Sequence, residues 1–293
     1  MNPQFVLNFA PTGMVPTKQM NPNTPIAINE IIDEVLAAAE LGVSIVHLHA
    51  REEDGKPTLS QERYGRILCG IRKHNPEIIA CVSLSGRNVS DPAQRALPLL
   101  MAGDAKPDMG SLTLSSLNFI GQASVNAPAT IELLAATMRD QHIAPELEVF
   151  DLGMANCIHA LQKKTLLPPQ IYVNLMLGNI FGAQASFSNI AAMLANMPPY
   201  ALCSFAGLGA FQLQSVTLAL AAGFGVRIGL EDNIWYDRQR CVAASNLTLI
   251  KRVLRLAAEL ELQPASAGSV RQRLGLASGY GNYGLQRQEK EAM

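Results

Sequence analysis

The chain is short of charge and without paired cysteines, and each shortage removes a class of protein. Only 16% of its 293 residues are Asp, Glu, Lys or Arg, and 23 basic against 24 acidic residues leave a net charge of −1. No basic stripe is available to a nucleic-acid backbone, and no acidic tract argues for a disordered chain. So little charge predicts that part of the surface is buried between subunits. The five cysteines (Cys69, Cys81, Cys157, Cys203, Cys241) are odd in number and scattered, with no CxxC pair. This excludes a disulfide framework and a cysteine-based zinc site; they read as buried free thiols of a reducing compartment. No apolar run approaches the about 18 residues of a membrane span. The opening MNPQFVLNFAPTG lacks the basic-then-apolar order of a signal peptide, so the expected location is the cytoplasm.

What the chain does have is alternation. Apolar, β-branched runs lie at 5–10, 43–50, 78–86, 109–116, 146–151, 171–177, 201–207 and 226–232, with helix-like segments between most of them. Runs that are apolar throughout fit strands buried on both faces. Eight βα repeats without a shift in composition predict an α/β protein built as one (β/α)8 TIM barrel over residues 1–276. The absence of GxGxxG after the first run argues against the doubly wound alternative. Residues 277–293 read as a C-terminal arm or disordered tail. Thr24 and Pro25 suit a helix cap and first turn, Gly42 suits its exit, and the last helix is expected from about 237 to 262. The long Pro-rich loop at 11–25 reads as a lid.

Chemistry concentrates at strand ends. In the His47-Leu48-His49 run, residues i and i+2 of a strand face the same side, so both imidazoles can meet one ion. A third ligand is expected from Glu231, since in a closed barrel strands two and eight both flank strand one. Two imidazoles and a carboxylate form a common catalytic zinc set, although iron, cobalt or manganese also fit. Buried Arg227 needs a carboxylate, for which Asp232 is the favoured choice, leaving Glu231 for the metal. Glu148 is an inward-facing candidate on strand five, with Glu146 and Asp151 weaker ones. Ser83, Ser85 and Gly86 after strand three, and Thr113 and Ser116 after strand four, suit a substrate carboxylate.

These segments together resemble the beta-keto acid cleavage enzyme family, which includes 3-keto-5-aminohexanoate cleavage enzymes. The resemblance is carried by NFAPTG (8–13), VHLHAR (46–51), VSLSGR (82–87), MGSLTLSSLNF (109–119), PELEVFDLG (145–153) and GVRIGLEDN (225–233). It implies a metal-dependent barrel, usually with zinc, that condenses a β-keto acid with acetyl-CoA and releases acetoacetate and a new acyl-CoA. It also implies metal on His47, His49 and Glu231, Asp232 as base held by Arg227, a carboxylate cradle around Ser83, and a homotetramer. Many relatives carry an acid just after the first-strand TG. Here Met14 and Val15 follow Gly13, which predicts a preference for uncharged over amino-bearing substrates. The alternatives are another metal-dependent barrel lyase or aldolase, or a catalytically silent metabolite-binding barrel.

Overall fold

The computed structural model describes residues 3–286. Eight parallel strands close into a barrel: β1 (Leu7–Phe9), β2 (Ile45–Leu48), β3 (Ile79–Val82), β4 (Met109–Thr113), β5 (Ala144–Val149), β6 (Tyr172–Leu177), β7 (Leu202–Gly207) and β8 (Gly225–Ile228). Each pairs with its sequence neighbours, and β8 closes on β1 through Val226–Leu7, Arg227–Asn8 and Ile228–Phe9. The outer layer comprises α1 (Ile28–Ala39), α2 (Gln61–Arg72), α3 (Pro92–Ala96), α4 (Pro128–Asp140), α5 (Leu152–Lys163), α6 (Phe187–Ala195), α7 (Gln212–Ala221) and α8 (Asn246–Glu259). A ninth helix, α9 (Ala267–Leu274), follows them. No described helix is long and apolar enough to cross a membrane.

The period-2 geometry of the strands stacks the interior in layers. The lowest is apolar: Val6, Ile45, Ile79, Met109, Ala144 and Tyr172 pack with Val270 and Leu274 of α9, which plugs the bottom. Two residues further along the same strands the layer turns polar, with Asn8, His47, Cys81, Ser111, Glu146 and Asn174, all buried. Another two residues on, His49, Ser83, Thr113 and Glu148 line a cavity at the C-terminal mouth. A mainly apolar cluster between sheet and helices holds the outside of the barrel, and the polar residues gather on its axis.

Several boundaries differ from the sequence expectation for physical reasons. Helix α1 begins after Ala27, where the Glu30 carboxylate accepts the amides of Ile26 and Ala27 at 2.9 and 3.0 Å; Thr24 is buried and caps nothing. Of the expected last helix only Asn246–Glu259 is helical, preceded by a loop. The Asp237 carboxylate accepts the amides of Cys241 and Val242, bending that stretch into a turn, and Ser245 caps α8. Residues 277–286 fold back as a hairpin under the barrel, with Leu276 bridged to Leu285. The Tyr283 ring lies 3.3 Å from the Arg72 guanidinium. Arg72 and Arg271 both bind the buried Asp108, which also accepts the amide of Gly284. The rest of the expected tail, 287–293, lies outside the described residues. The cysteines are free, but Cys69 and Cys241 are exposed, because they sit on the outer face of α2 and in the loop before α8.

A candidate metal centre and catalytic cavity

The two imidazoles converge as their i, i+2 spacing requires: His47 Nε2 and His49 Nε2 are 3.3 Å apart. Glu231, three residues past β8, brings Oε1 to 3.2 Å from His49 Nε2 and 3.7 Å from His47 Nε2. Four ligands about 2.0–2.1 Å from a zinc ion stand about 3.3 Å from one another at the corners of a tetrahedron, so these three atoms match one face of it. Glu231 Oε2 is buried without a hydrogen-bond partner, an acceptor that a cation would satisfy. The residues present therefore fit a divalent metal. Gly13 lets Glu231 reach this place: its φ is +66°, and a Cβ there would lie 2.6 Å from Glu231 Cγ.

Beneath these three side chains lies a supporting network. His47 Nδ1 is hydrogen-bonded to Glu146 Oε2, which fixes the ring and turns Nε2 toward the ligand cluster. Glu146 also accepts from Asn8 (2.7 Å), Asn174 (2.8 Å) and the Cys81 thiol (3.0 Å). Burial works to protonate Glu146, but His47 and Arg227 outweigh it and lower its pKa to about 2. Burial likewise works against a charged His47, yet Glu146 and Glu231 raise its pKa to about 9. The surroundings thus favour positive charge at Nε2, where a metal ion would sit. Burial and Glu146 push the Cys81 thiol well up, so it stays a donor rather than a thiolate ligand.

Arg227 organises the other side. Its Nε and one terminal nitrogen bind Asp232 at 3.1 and 3.2 Å; the same nitrogen binds Glu231 at 2.8 Å, and the other reaches Glu148 at 3.2 Å. One guanidinium, almost wholly buried, serves three carboxylates. Burial, with repulsion from Glu231, pushes Asp232 up to about 6 against the pull of Arg227. Thr113 donates to Glu148 at 2.7 Å.

The cavity is lined by His47, His49, Ser83, Ser85, Thr113, Glu148, Arg227, Glu231 and Asp232, so most of the expected site residues meet there. Gly86 and Ser116 are not in its lining. A Cβ on Gly86 would meet Val125 O at 2.7 Å, and Ser116 Oγ accepts the Asn126 amide at 2.8 Å. Ser116 holds the 117–126 segment that walls the cavity, and Gly86 makes room for its close approach. Sequence reasoning underweighted Glu146, and it missed Asn8, Asn174 and Arg87. The Glu146-Leu147-Glu148 alternation was the available signal, since it sends both carboxylates inward in successive layers.

A closed (β/α)8 barrel that gathers two histidines, a carboxylate and an Arg-held acid at its C-terminal mouth has the layout of a barrel enzyme, with a side-chain set that fits a metal. A family model described as beta-keto acid cleavage enzyme matches residues 4–276, and the chain belongs to that family. It is 34% identical over 282 residues to the 3-oxoadipate:acetyl-CoA acetyltransferase of Cupriavidus necator, covering 95% of this chain and 97% of that one. It is 33% identical over 277 residues to the 3-keto-5-aminohexanoate cleavage enzyme of Fusobacterium nucleatum, covering 94% and 99%. Among solved structures it resembles ObcA in fold. The apo form gives a TM-score of 0.72 at 20% identity, covering 87% of this chain and 66% of the longer ObcA chain. The ternary complex of ObcA with C4-CoA adduct and oxalate gives 0.73, covering 68% of that chain.

Proposed function

We propose that the protein exchanges acyl groups between a β-keto acid and acetyl-CoA: R–CO–CH2–COO⁻ and acetyl-CoA give acetoacetate and R–CO–CoA. The observation that carries this reading is the juxtaposition of the His47–His49–Glu231 face with Asp232, both tied to Arg227. The names of the two relatives above, both β-keto acid enzymes and one explicitly using acetyl-CoA, support it.

His47, His49 and Glu231 would hold the metal, and two imidazoles with one carboxylate favour zinc. When bound, such an ion supplies Lewis acidity to the ketone oxygen. Asp232 takes a proton from the methylene carbon between ketone and carboxylate. Arg227 keeps that carboxylate oriented, and a pKa near 6 leaves it ionised at neutral pH but basic enough to act. The methylene carbon bonds to the acetyl carbon and CoA thiolate leaves. The thiolate then bonds to the original ketone carbon, the bond between that carbon and the former methylene carbon breaks, and the proton on Asp232 returns to the latter. Leu208, Met176 and Phe150 line the same cavity and limit water that would hydrolyse the thioester.

Met14 and Val15 also line the cavity, where an acid would be needed to hold a substrate ammonium group, so amino-bearing β-keto acids are poor substrates. A homotetramer in the cytoplasm is part of this reading. The exposed Ile120, Phe181 and Phe187 side chains support burial between subunits. The test is acetoacetate formation from acetyl-CoA and a panel of β-keto acids, with light scattering for the oligomeric state. A tetramer turning over neutral acids faster than cationic ones is expected.

A further inference from the structure

Any β-keto acid brings a carboxylate into a cavity that already holds Glu148, Glu231 and Asp232, so something cationic must receive it. Arg227 is committed, with each of those three carboxylates bound to it. The hydroxyls are neutral and supply no charge. Thr113 already donates to Glu148, while Ser116 and Ser85 accept the amides of Asn126 and Arg87 and keep their O–H groups for donation. Of the expected cradle, only the Ser83 hydroxyl lines the cavity without a protein partner among the described residues.

Arg87 is the remaining guanidinium of the lining. It lies five residues past β3, is half-buried and lines the cavity with Ser83 and Ser85. Its guanidinium lies 3.5 Å from the centre of the Phe119 ring, which is presented by the 117–124 ribbon after β4. Among the described residues no carboxylate is paired with it; Glu231, Glu148 and Asp232 act on it only from a distance. A stacked guanidinium keeps its edge free and its direction fixed, a geometry suited to a bidentate carboxylate.

Resting on the function proposed above, we infer that Arg87 is the substrate-binding residue that takes the carboxylate of the β-keto acid, held in place by Phe119 and assisted by Ser83. The hydroxyl cradle is then an accessory to an ionic anchor. Cationic substituents meet Arg87 as well as the apolar Met14 and Val15.

The test uses Arg87→Met, which keeps the length and apolar stem of the side chain, and Arg87→Lys, which keeps the charge but not the fork. Both are first checked for an unchanged melting temperature and metal content. In zinc-loaded enzyme, Arg87→Met is expected to raise the KM for every β-keto acid about 10- to 100-fold, the loss typical of a charge-assisted bond. The KM for acetyl-CoA should stay within about twofold, and Arg87→Lys should recover part of the loss. Calorimetric titration with acetoacetate gives a readout independent of turnover, with binding to wild type and loss in Arg87→Met expected. An unchanged β-keto acid KM overturns the assignment. So does a rise in acetyl-CoA KM alone, which would place a CoA phosphate on Arg87, or a loss confined to β-keto acids with a second carboxylate. Wild-type binding of acetoacetate without turnover would reject the proposed function while leaving Arg87 testable by titration; no binding would reject both.

Discussion

Glu146 stands directly behind His47: its carboxylate is hydrogen-bonded to the imidazole Nδ1, on the side of the ring opposite the Nε2 that faces His49 and Glu231. This carboxylate–histidine pair aims the ring, raises its basicity as a ligand and is itself held by Asn8, Asn174 and Cys81. Glu146→Gln should therefore weaken metal binding by about 10- to 100-fold without removing any ligand. Competition with a chromogenic chelator measures this. Unchanged affinity would show that the pair is only a packing contact.

Gly13 and Glu231 make a second dependence of this kind. Gly13→Ala introduces a Cβ 2.6 Å from Glu231 Cγ at a φ of +66°, so the ligand must move or the loop must distort. Arg51 ties the same loop down by donating to Gly13 O and Pro16 O, leaving little room to adjust. Metal content per chain should fall by more than half, with a stability loss of about 1–3 kcal/mol. Urea titration and elemental analysis check the two together.

Asp232 and Arg227 should separate chemistry from architecture. Asp232→Asn keeps shape and metal but removes the base, lowering kcat by about 10²- to 10⁴-fold with little change in either KM. Arg227→Met leaves Glu148, Glu231 and Asp232 without their shared cation. It should destabilise the fold by about 3–5 kcal/mol or prevent soluble expression. Equal effects of the two substitutions on stability would contradict this division of roles.

Ser83→Ala is expected to be mild, raising the KM for the β-keto acid about 2- to 10-fold through loss of one neutral hydrogen bond, with kcat nearly kept. A collapse of kcat would instead place the hydroxyl at the reacting carbon.

The barrel was legible because its strands are continuously apolar and recur eight times, and the convergence of the two imidazoles was legible because His47 and His49 share a strand side. The Arg227–Asp232 pair followed from the need of a buried guanidinium for an acid, and the structure places the two in contact. Other features depend on neighbours far away in sequence. Glu146 is 99 residues from His47, and nothing local shows that the two meet. Gly86 and Ser116 look like binding residues because small and hydroxylic residues suit both a ligand and a loop; here they brace the wall. Helix ends moved where side chains compete for backbone amides, as Glu30 and Asp237 do.

In the function proposed above, His47, His49 and Glu231 hold a metal needed for acyl exchange. The most direct measurement is elemental analysis of wild type beside His49→Ala, each then assayed for acetoacetate from acetyl-CoA and a β-keto acid panel. About one zinc per wild-type chain is expected, with loss of both zinc and acetoacetate in the variant. Wild-type protein that forms acetoacetate without bound metal, or a variant that keeps both metal and activity, would contradict it.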